Sequence, residues 1–202
     1  MKNIVLATRN IYKIKEIRKI LGGLKVKISS ALDFPGLEEI EEDKKTLEGN
    51  ATKKALVTSK FTNTLAIADD SGLEVDALEG RPGVYSARFA GEDATYNDNN
   101  KKLLELMAYV SPRSRTARFV CVVAIADKGK IKKIIKATCE GIIAFEPKGK
   151  TGFGYDPLFI IPKYNKTFAE LGPEIKNKIS HRAKAFLETK KFLEESLIIQ
   201  LD

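Results

Sequence analysis

Residues 115–139 read RTARFVCVVAIADKGKIKKIIKATC. Two apolar, β-branched stretches, residues 115–126 and 130–139, flank the turn residues Asp127-Lys128-Gly129. Apolar runs of this length on either side of a short glycine-containing turn predict a β-hairpin. This hairpin is the strongest antiparallel signal in the chain, so the sheet cannot be purely parallel.

The segment before the hairpin alternates between strand and helix patterns. Residues 3–7 predict a buried strand, and Asn10 can cap a following helix in which Ile14, Ile17 and Leu21 keep helical spacing. The other elements predicted there are a strand at residues 26–29, an acidic irregular segment at 33–45, a helix from its cap Thr46 to about Phe61, a strand at 65–68, an irregular stretch at 72–91 and a helix at 96–109.

After the hairpin, strands near residues 141–145 and 158–161 precede a terminal helix at residues 179–199, whose apolar stripe runs from Phe186 to Leu197. Alternation followed by clustered strands predicts an α/β fold with a mixed sheet and an antiparallel extension. We expect the 202 residues to form one compact domain of two lobes, with a cleft as the natural active site.

The composition is that of a globular protein, with 43% hydrophobic and 31% charged residues. The apolar run at residues 4–7 is too short for a signal sequence, and no run has the length of a membrane span, so we expect a cytoplasmic protein without membrane contact. The 35 Lys and Arg against 27 Asp and Glu give a formal charge of +8. Such a charge favours nucleic acids, phospholipid surfaces or polyphosphate substrates as partners, without choosing among them.

Cys121 and Cys139 lie in the two apolar strands of the hairpin, without metal-ligand spacing, so we expect buried thiols. Antiparallel pairing leaves a disulfide open, although a reducing cytoplasm argues against it.

A first candidate site lies at Thr8-Arg9-Asn10, with Lys13 one helical turn later. Where a strand turns into a helix, free backbone N–H groups and the positive helix end favour a phosphate group. An ordinary helix cap beside a solvated lysine has the same sequence, so this motif alone leaves both interpretations open. The glycine-rich sequence of a P-loop is absent.

A second candidate lies at Asp69-Asp70-Ser71-Gly72, which we expect to end the strand at residues 65–68, with Asp76 shortly after. Carboxylates and a hydroxyl at a strand end suit Mg²⁺, and a closed Asx turn is the structural alternative. The acidic run Glu38, Glu39, Glu41, Glu42 and Asp43 offers a further carboxylate.

The third candidate combines two motifs, Gly152-Phe153-Gly154-Tyr155-Asp156-Pro157 and Ser180-His181-Arg182, with Lys176 before the second. The first lacks the third glycine and the helix of a dinucleotide fingerprint. Its glycines instead allow close backbone approach, and its aromatic rings can stack on a base. Imidazole and guanidinium groups suit a purine carbonyl. The structural alternatives are a tight turn before a strand for the first motif and a structural role for the single histidine of the second.

Six motifs in this order resemble the inosine triphosphate pyrophosphatase family: T-x-N-x-x-K, T-L-E-G-N-A-x-x-K-A, A-D-D-S-G-L-x-V-D, G-x-P-G-x-Y-S-A-R, G-F-G-Y-D-P and S-H-R. The match covers nearly the whole chain. The resemblance implies an elongated, two-lobed mixed α/β fold, a homodimer, and Mg²⁺-dependent hydrolysis of non-standard purine nucleoside triphosphates (ITP, dITP and XTP) to the monophosphate and pyrophosphate.

The resemblance also implies roles for matching positions. Asp70, with Asp69 beside it, would be catalytic, and Asp70 with Glu42 would bind the metal, although Glu39 or Glu41 can replace Glu42. The predicted substrate-binding residues are Thr8, Arg9, Asn10, Ile11, Tyr12, Lys13, Ser71, Phe153, Gly154, Tyr155, Asp156, Lys176, His181 and Arg182. Arg9 departs from the family pattern, which has a small residue there, and so do Leu47 and Gly49.

Two other functions fit parts of the sequence. One is a pyrophosphatase of other modified nucleotides, and the other is a basic nucleic-acid-binding module that stacks bases on Phe153 and Tyr155. The carboxylates at Asp69, Asp70 and Asp76 disfavour the module, so we expect no stable nucleic-acid complex.

Overall fold

A computed structural model describes residues 3–198 of the chain. The chain divides into two compact units. Of the described residues, unit 1 contains 3–70, 121–137 and 182–198, and unit 2 contains 71–120 and 138–181.

Within the described residues, the α-helices are α1 (Ile11–Ile20), α2 (Leu47–Thr62), α3 (Tyr96–Leu106), α4 (Phe168–Ile179) and α5 (His181–Ile198). The strands are β1 (Asn3–Leu6), β2 (Lys27–Ser30), β3 (Leu65–Val75), β4 (Thr116–Asp127), β5 (Lys130–Ile143), β6 (Phe159–Ile161) and β7 (Lys166–Thr167). None of these helices combines the length and apolar character that crossing a membrane requires.

The strands of residues 3–198 form one sheet in the order β2-β1-β3-β4-β5-β6-β7. β1 runs parallel to both β2 and β3, with Leu6 opposite Ser30 and Ile67. β6 is antiparallel to β5 and to β7. The predicted mixed α/β sheet with an antiparallel extension is therefore confirmed.

The predicted hairpin is confirmed as β4 and β5, which are neighbours in the sheet and are joined by Lys128 and Gly129. Both turn residues have positive φ, 47° and 75°, which suits a two-residue hairpin connection. Cys121 and Cys139 are buried and form no disulfide, as expected.

Each unit has its own apolar core. In unit 1 the core contains Leu6, Ile17, Ile67 and Phe186. In unit 2, Phe159 stacks on Phe168 with a centroid distance of 5.5 Å and an interplanar angle of 16°. Burying side chains of this size contributes roughly 1.5–3 kcal/mol each, so these cores hold the elements that carry the polar residues described below.

The helix caps follow the sequence closely. Asn10 caps α1, and Thr46 caps α2 by accepting a hydrogen bond from the backbone N–H of Gly49 at 3.0 Å. Both caps were predicted, because Asn and Thr side chains satisfy N–H groups that a helix leaves unpaired at its start.

Three predicted boundaries were wrong. β3 does not end at Ala68 but continues to Val75, because the carboxylates within it are paired in the interior. The strand predicted at residues 141–145 is the end of β5, and the helix predicted at 96–109 ends at Leu106.

The sequence pattern did not predict α4, which precedes the terminal helix. This helix contains Gly172, with φ 74°, followed by Pro173, and both residue types normally interrupt a helix. The terminal helix begins at His181, not at residue 179. Its predicted end at Ile199 and the side chain of Leu197 lie outside the described residues.

Candidate active site

The turn between β1 and α1 is closed by the side chain of Asn10. Its Oδ1 accepts hydrogen bonds from the backbone N–H groups of Tyr12 at 3.0 Å and Lys13 at 3.2 Å. The cap therefore occupies two of the backbone N–H groups at the start of α1, and the phosphate site at this turn stays a prediction. Thr8 Oγ1 accepts a further hydrogen bond from the N–H of Asn10 at 3.2 Å.

Three of the predicted substrate-binding residues in this region have exposed side chains. Ile11 and Tyr12 are 57% and 51% exposed. Arg9 is also exposed, and its guanidinium donates a hydrogen bond to the backbone carbonyl of Leu37.

Asp69 lies in β3 at the centre of a buried charge network in unit 1. Its Oδ2 accepts hydrogen bonds from Nε and a terminal nitrogen of Arg182 at 3.2 and 3.1 Å, and it lies 3.1 Å from Nζ of Lys13. Arg182 also donates to Glu16 of α1 at 2.9 Å. The predicted catalytic and phosphate-binding residues Asp69 and Lys13 are thus brought together, and Arg182 joins them.

The pKa values in this network shift toward the charged forms. Burial by itself raises the pKa of Asp69, but the positive charges of Lys13 and Arg182 outweigh burial and hold that pKa well below its usual range. Burial lowers the pKa of Lys13, and the charge of Asp69 reverses the effect, so the net shift is upward. Asp69 is therefore ionised and already paired at neutral pH, which makes it a poor proton acceptor.

Asp70, the next residue of β3, has a different environment. It is 5% exposed, and its Oδ2 accepts a hydrogen bond from Nδ2 of Asn50 at 3.1 Å. Burial is the largest cause that raises its pKa, and the negative charge of Glu42 acts in the same direction against the attraction of Lys54. A carboxylate with a raised pKa accepts a proton more readily, so Asp70 suits a general base better than Asp69 does.

Lys54 of α2 connects the carboxylates. Its Nζ contacts Oε1 of Glu42, lies 3.9 Å from Oδ1 of Asp70, and donates to the backbone carbonyl of Asp69 at 2.8 Å. The charge of Lys54 lowers the pKa of Glu42 in spite of the opposing effect of burial. Glu39 and Glu41, the alternatives to Glu42, are exposed.

The donor set around Lys54 fits a magnesium ion. Asp70 and Glu42 converge on one positive group, and both offer the hard oxygen ligands that Mg²⁺ prefers. No group of three or more potential metal-ligating His, Cys, Asp or Glu residues occurs in the described part of the chain. Two carboxylates are enough, because Mg²⁺ usually completes its coordination with water and substrate phosphates.

Asn50, Lys54 and Glu16 were missed as site residues. Asn50 and Lys54 are buried polar residues four positions apart in α2, next to Ala51 and Ala55. Their position beside the small residues of α2 is the sequence signal that could have identified Asn50 and Lys54. A lysine on such a buried face needs a charged or polar partner.

The loop at residues 152–156, in unit 2, is built around the carboxylate of Asp156. Its Oδ2 accepts hydrogen bonds from the backbone N–H of Phe153 at 2.9 Å and from Nζ of Lys176 at 2.6 Å. Nζ of Lys176 lies 4.3 Å from the centre of the Phe153 ring. Gly152 has φ 81°, and a Cβ there would lie 2.1 Å from Asp156 Oδ2. Asp156 thus shapes the loop and fixes the lysine.

The neighbouring residues hold this loop in place. Tyr155 is 5% exposed and donates from its hydroxyl to the backbone carbonyl of Ser86 at 2.9 Å, and burial raises the pKa of that hydroxyl. Nδ2 of Asn100 donates to the carbonyl of Gly154 at 3.0 Å. Because the Tyr155 ring is buried, it is not the stacking platform that the nucleic-acid-binding alternative required.

The remaining predicted residues occupy three different settings. His181 is buried in unit 2 and stacks on Phe119 with a centroid distance of 4.6 Å. Ser71 follows Asp70 in β3 and is half-buried. Asp76 accepts hydrogen bonds from Thr116 at 2.6 Å and Arg118 at 2.9 Å, so it is engaged at an exposed position and not with the other carboxylates of the sequence motif.

Comparison with known proteins identifies the family of the chain. The Ham1 family profile matches residues 4–192. The chain belongs to the Ham1 family. A relative from Desulforamulus reducens, named dITP/XTP pyrophosphatase, is 52% identical over 98% of both chains. A relative of the same name from Bacillus subtilis is 46% identical over 96% of this chain and 98% of its own. The resemblance inferred from the sequence motifs is therefore confirmed.

Solved structures of Ham1 proteins have the same fold. A HAM1 protein from Coxiella burnetii superposes with a TM-score of 0.89 at 40% identity, covering 96% of this chain and all of the other. The Staphylococcus aureus Ham1 protein gives a TM-score of 0.86 at 40% identity with the same coverage.

Proposed function

We propose that this Ham1 protein hydrolyses non-standard purine nucleoside triphosphates, namely ITP, dITP and XTP, to the monophosphate and pyrophosphate, and so removes them from the nucleotide pool. The observation that carries the proposal is the buried cluster of unit 1, in which Asp70 and Glu42 share Lys54 beside the Lys13–Asp69 pair. Acidic groups for a metal and lysines for phosphate thus lie together. The names of the relatives support the substrate class.

The triphosphate is assigned to unit 1. Lys13 and Lys54 carry the positive charge, and the Thr8 hydroxyl adds a hydrogen-bonding group. Asp70 and Glu42 would hold Mg²⁺, which when bound neutralises negative charge on the phosphate oxygens. The side chain of Asn10 is occupied as the cap and shapes the start of α1, while Ile11 and Tyr12 stay predicted substrate-binding residues.

The chemical step requires a base and a nucleophilic water. Asp70 accepts a proton from the water, whose oxygen forms a bond to the α-phosphorus as the bond from that phosphorus to the α–β bridging oxygen breaks. Pyrophosphate leaves with that oxygen, and no covalent enzyme intermediate forms. The positive charge of Lys13 and Lys54 stabilises charge that moves toward the leaving pyrophosphate.

The base is assigned to unit 2. Phe153 offers a ring for stacking, while Lys176 and His181 offer donors to the oxygen at position 6 of hypoxanthine or xanthine. Adenine carries an amino group at position 6, so the donors of Lys176 and His181 would face another donor. The polar groups that stay unpaired weaken the binding of adenine nucleotides. Arg182 donates three hydrogen bonds to Asp69 and Glu16. These bonds support a role in positioning Asp69 and not the predicted role in binding the base.

Pyrophosphate release from ITP, XTP, dITP, dUTP, GTP and ATP with Mg²⁺ tests the proposal. We expect kcat/KM for the first three to exceed that for ATP by on the order of 10²-fold. A preference for dUTP would favour the alternative of other modified nucleotides, and equal turnover of all six would refute base selection. A homodimer in the cytoplasm remains our prediction for its state and location.

A further inference from the structure

The segment at residues 34–46 carries Glu42, yet it lies outside the α-helices and strands. Side chains of α2 fix it on both sides of Glu42. Nζ of Lys53 donates a hydrogen bond to the backbone carbonyl of Glu41 at 2.8 Å. Oδ1 of Asn50 accepts a hydrogen bond from the backbone N–H of Lys44 at 2.9 Å. The position of Glu42 therefore depends on side-chain tethers more than on regular secondary structure.

One more tether comes from a different element. The guanidinium of Arg9, in the turn between β1 and α1, donates to the backbone carbonyl of Leu37, whose side chain is 3% exposed. Among the residues that the structure describes, Arg9 has no carboxylate partner. Its guanidinium is held by the hydrogen bond to the Leu37 carbonyl. Arg9 thus joins the turn that leads into α1, the helix of Lys13, to the segment that holds Glu42. A small side chain at this position, as in the family motif, cannot make that bond.

We propose that Arg9 is a positioning residue, which holds the Glu42 segment against the turn that leads into α1. The consequence for metal binding rests on the proposed function, whereas the tether itself does not. A hydrogen bond from a charged donor is stronger than one between neutral groups, so its loss frees the segment. In the folded protein without metal, the amides of Leu37 and Lys44 report on the segment, because they are bonded to Phe34 and Asn50.

The test compares Arg9→Ala with Arg18→Ala. Arg18 is the matched control, since it is also exposed and its guanidinium also donates to a backbone carbonyl, that of Ile28 at 3.3 Å. Hydrogen exchange in EDTA should be about 10-fold faster at Leu37 and Lys44 in Arg9→Ala and unchanged in Arg18→Ala. With saturating ITP, the Mg²⁺ concentration for half-maximal rate should rise about 5-fold in Arg9→Ala alone.

Unchanged exchange in Arg9→Ala would overturn the proposal. If exchange stays unchanged while the KM for ITP rises, Arg9 contacts phosphate and does not position Glu42. Should the unaltered protein release no pyrophosphate from any of the nucleotides, the proposed function fails, while the exchange rates still decide whether Arg9 holds the segment.

Discussion

Arg182 and Asp69 form a buried, two-bond ion pair, with Nε and a terminal nitrogen of the guanidinium 3.2 and 3.1 Å from one carboxylate oxygen. The two residues are 113 positions apart, and each is 2% exposed or less. The pair joins the start of α5 to the middle of β3. It thereby fixes Asp69, the residue that precedes Asp70 in β3.

Removal of this guanidinium should destabilise the fold strongly. Arg182→Met leaves the carboxylate of Asp69 with Lys13 as its main partner in the interior, which should lower the free energy of unfolding by about 3–5 kcal/mol. Urea denaturation measures the change. Arg118→Met is the control, because Arg118 pairs with Glu74, Asp76 and Glu140 at a partly exposed position and should cost about 1 kcal/mol or less. Equal losses would show that the Arg182 pair contributes no more than a surface network.

The pH dependence of stability should report on Asp69. Its pKa in the folded protein is below the ordinary value near 3.9, so between the two values the unfolded chain binds one proton more. The stabilisation is complete above about pH 4 and is lost as the pH falls further, by at most about 1.4 kcal/mol per pH unit. The stability advantage over Asp69→Asn, measured by urea denaturation in EDTA, should therefore shrink below pH 4. A gap that stays constant from pH 7 to pH 3 would contradict the shifted pKa.

Asp70 should change the free energy of unfolding with pH in the opposite direction to Asp69. Its pKa is raised in the folded protein, so its protonated form favours folding at low pH, and that contribution disappears as the pH rises through the folded pKa. In the same urea series, Asp70→Asn should therefore gain stability relative to the unaltered protein as the pH rises from 4 to 7. A loss over that range would mean that the ionised form is the one that the fold favours.

The activity of Asp70→Asn should separate chemistry from binding. The amide cannot accept a proton from water, so pyrophosphate release from ITP should fall by at least about 10³-fold. Isothermal titration with ITP should still detect binding, since the lysines remain. Asp76→Asn serves as the control, because Asp76 accepts hydrogen bonds from Thr116 and Arg118 and should leave turnover near normal. Near-normal turnover in Asp70→Asn would remove Asp70 from the mechanism.

Two glycines of the aromatic loop form a matched pair. Gly152 and Gly154 have φ of 81° and 62°, so alanine at either position costs about 1 kcal/mol in backbone strain. A Cβ at Gly152 would also lie 2.1 Å from the carboxylate of Asp156, whereas one at Gly154 has no neighbour within 4 Å. Gly152→Ala should therefore raise the KM for ITP about 10-fold more than Gly154→Ala does. Equal KM values would argue against the loop as the base site.

The regular elements were predictable where local patterns decide them. Apolar periodicity and the caps Asn10 and Thr46 predict α1 and α2, and the apolar runs on either side of the turn at Lys128 and Gly129 predict the hairpin. The continuation of β3 was not predictable, because two acidic residues interrupt the apolar run. Their burial becomes favourable only through partners such as Arg182, which lies far away in the sequence.

For the candidate site, the sequence motifs suggest residues but not the contacts that those residues make. The carboxylate pair at Asp69 and Asp70 was recognised, but only the structure separates a paired Asp69 from an Asp70 of raised pKa. Similarly, the sequence motif suggests that Tyr155 stacks on a base. In the structure its ring is buried, and its hydroxyl donates a hydrogen bond to the backbone carbonyl of Ser86. Such differences depend on burial and on distant partners, which a local motif does not contain.

Hydrolysis of ITP in ¹⁸O-labelled water tests the central claim most directly. If water attacks the α-phosphorus, one labelled oxygen enters each IMP, and the pyrophosphate carries none, which mass spectrometry of both products determines. Label in the pyrophosphate or in inorganic phosphate would place the attack on another phosphorus and would contradict the mechanism proposed for this protein.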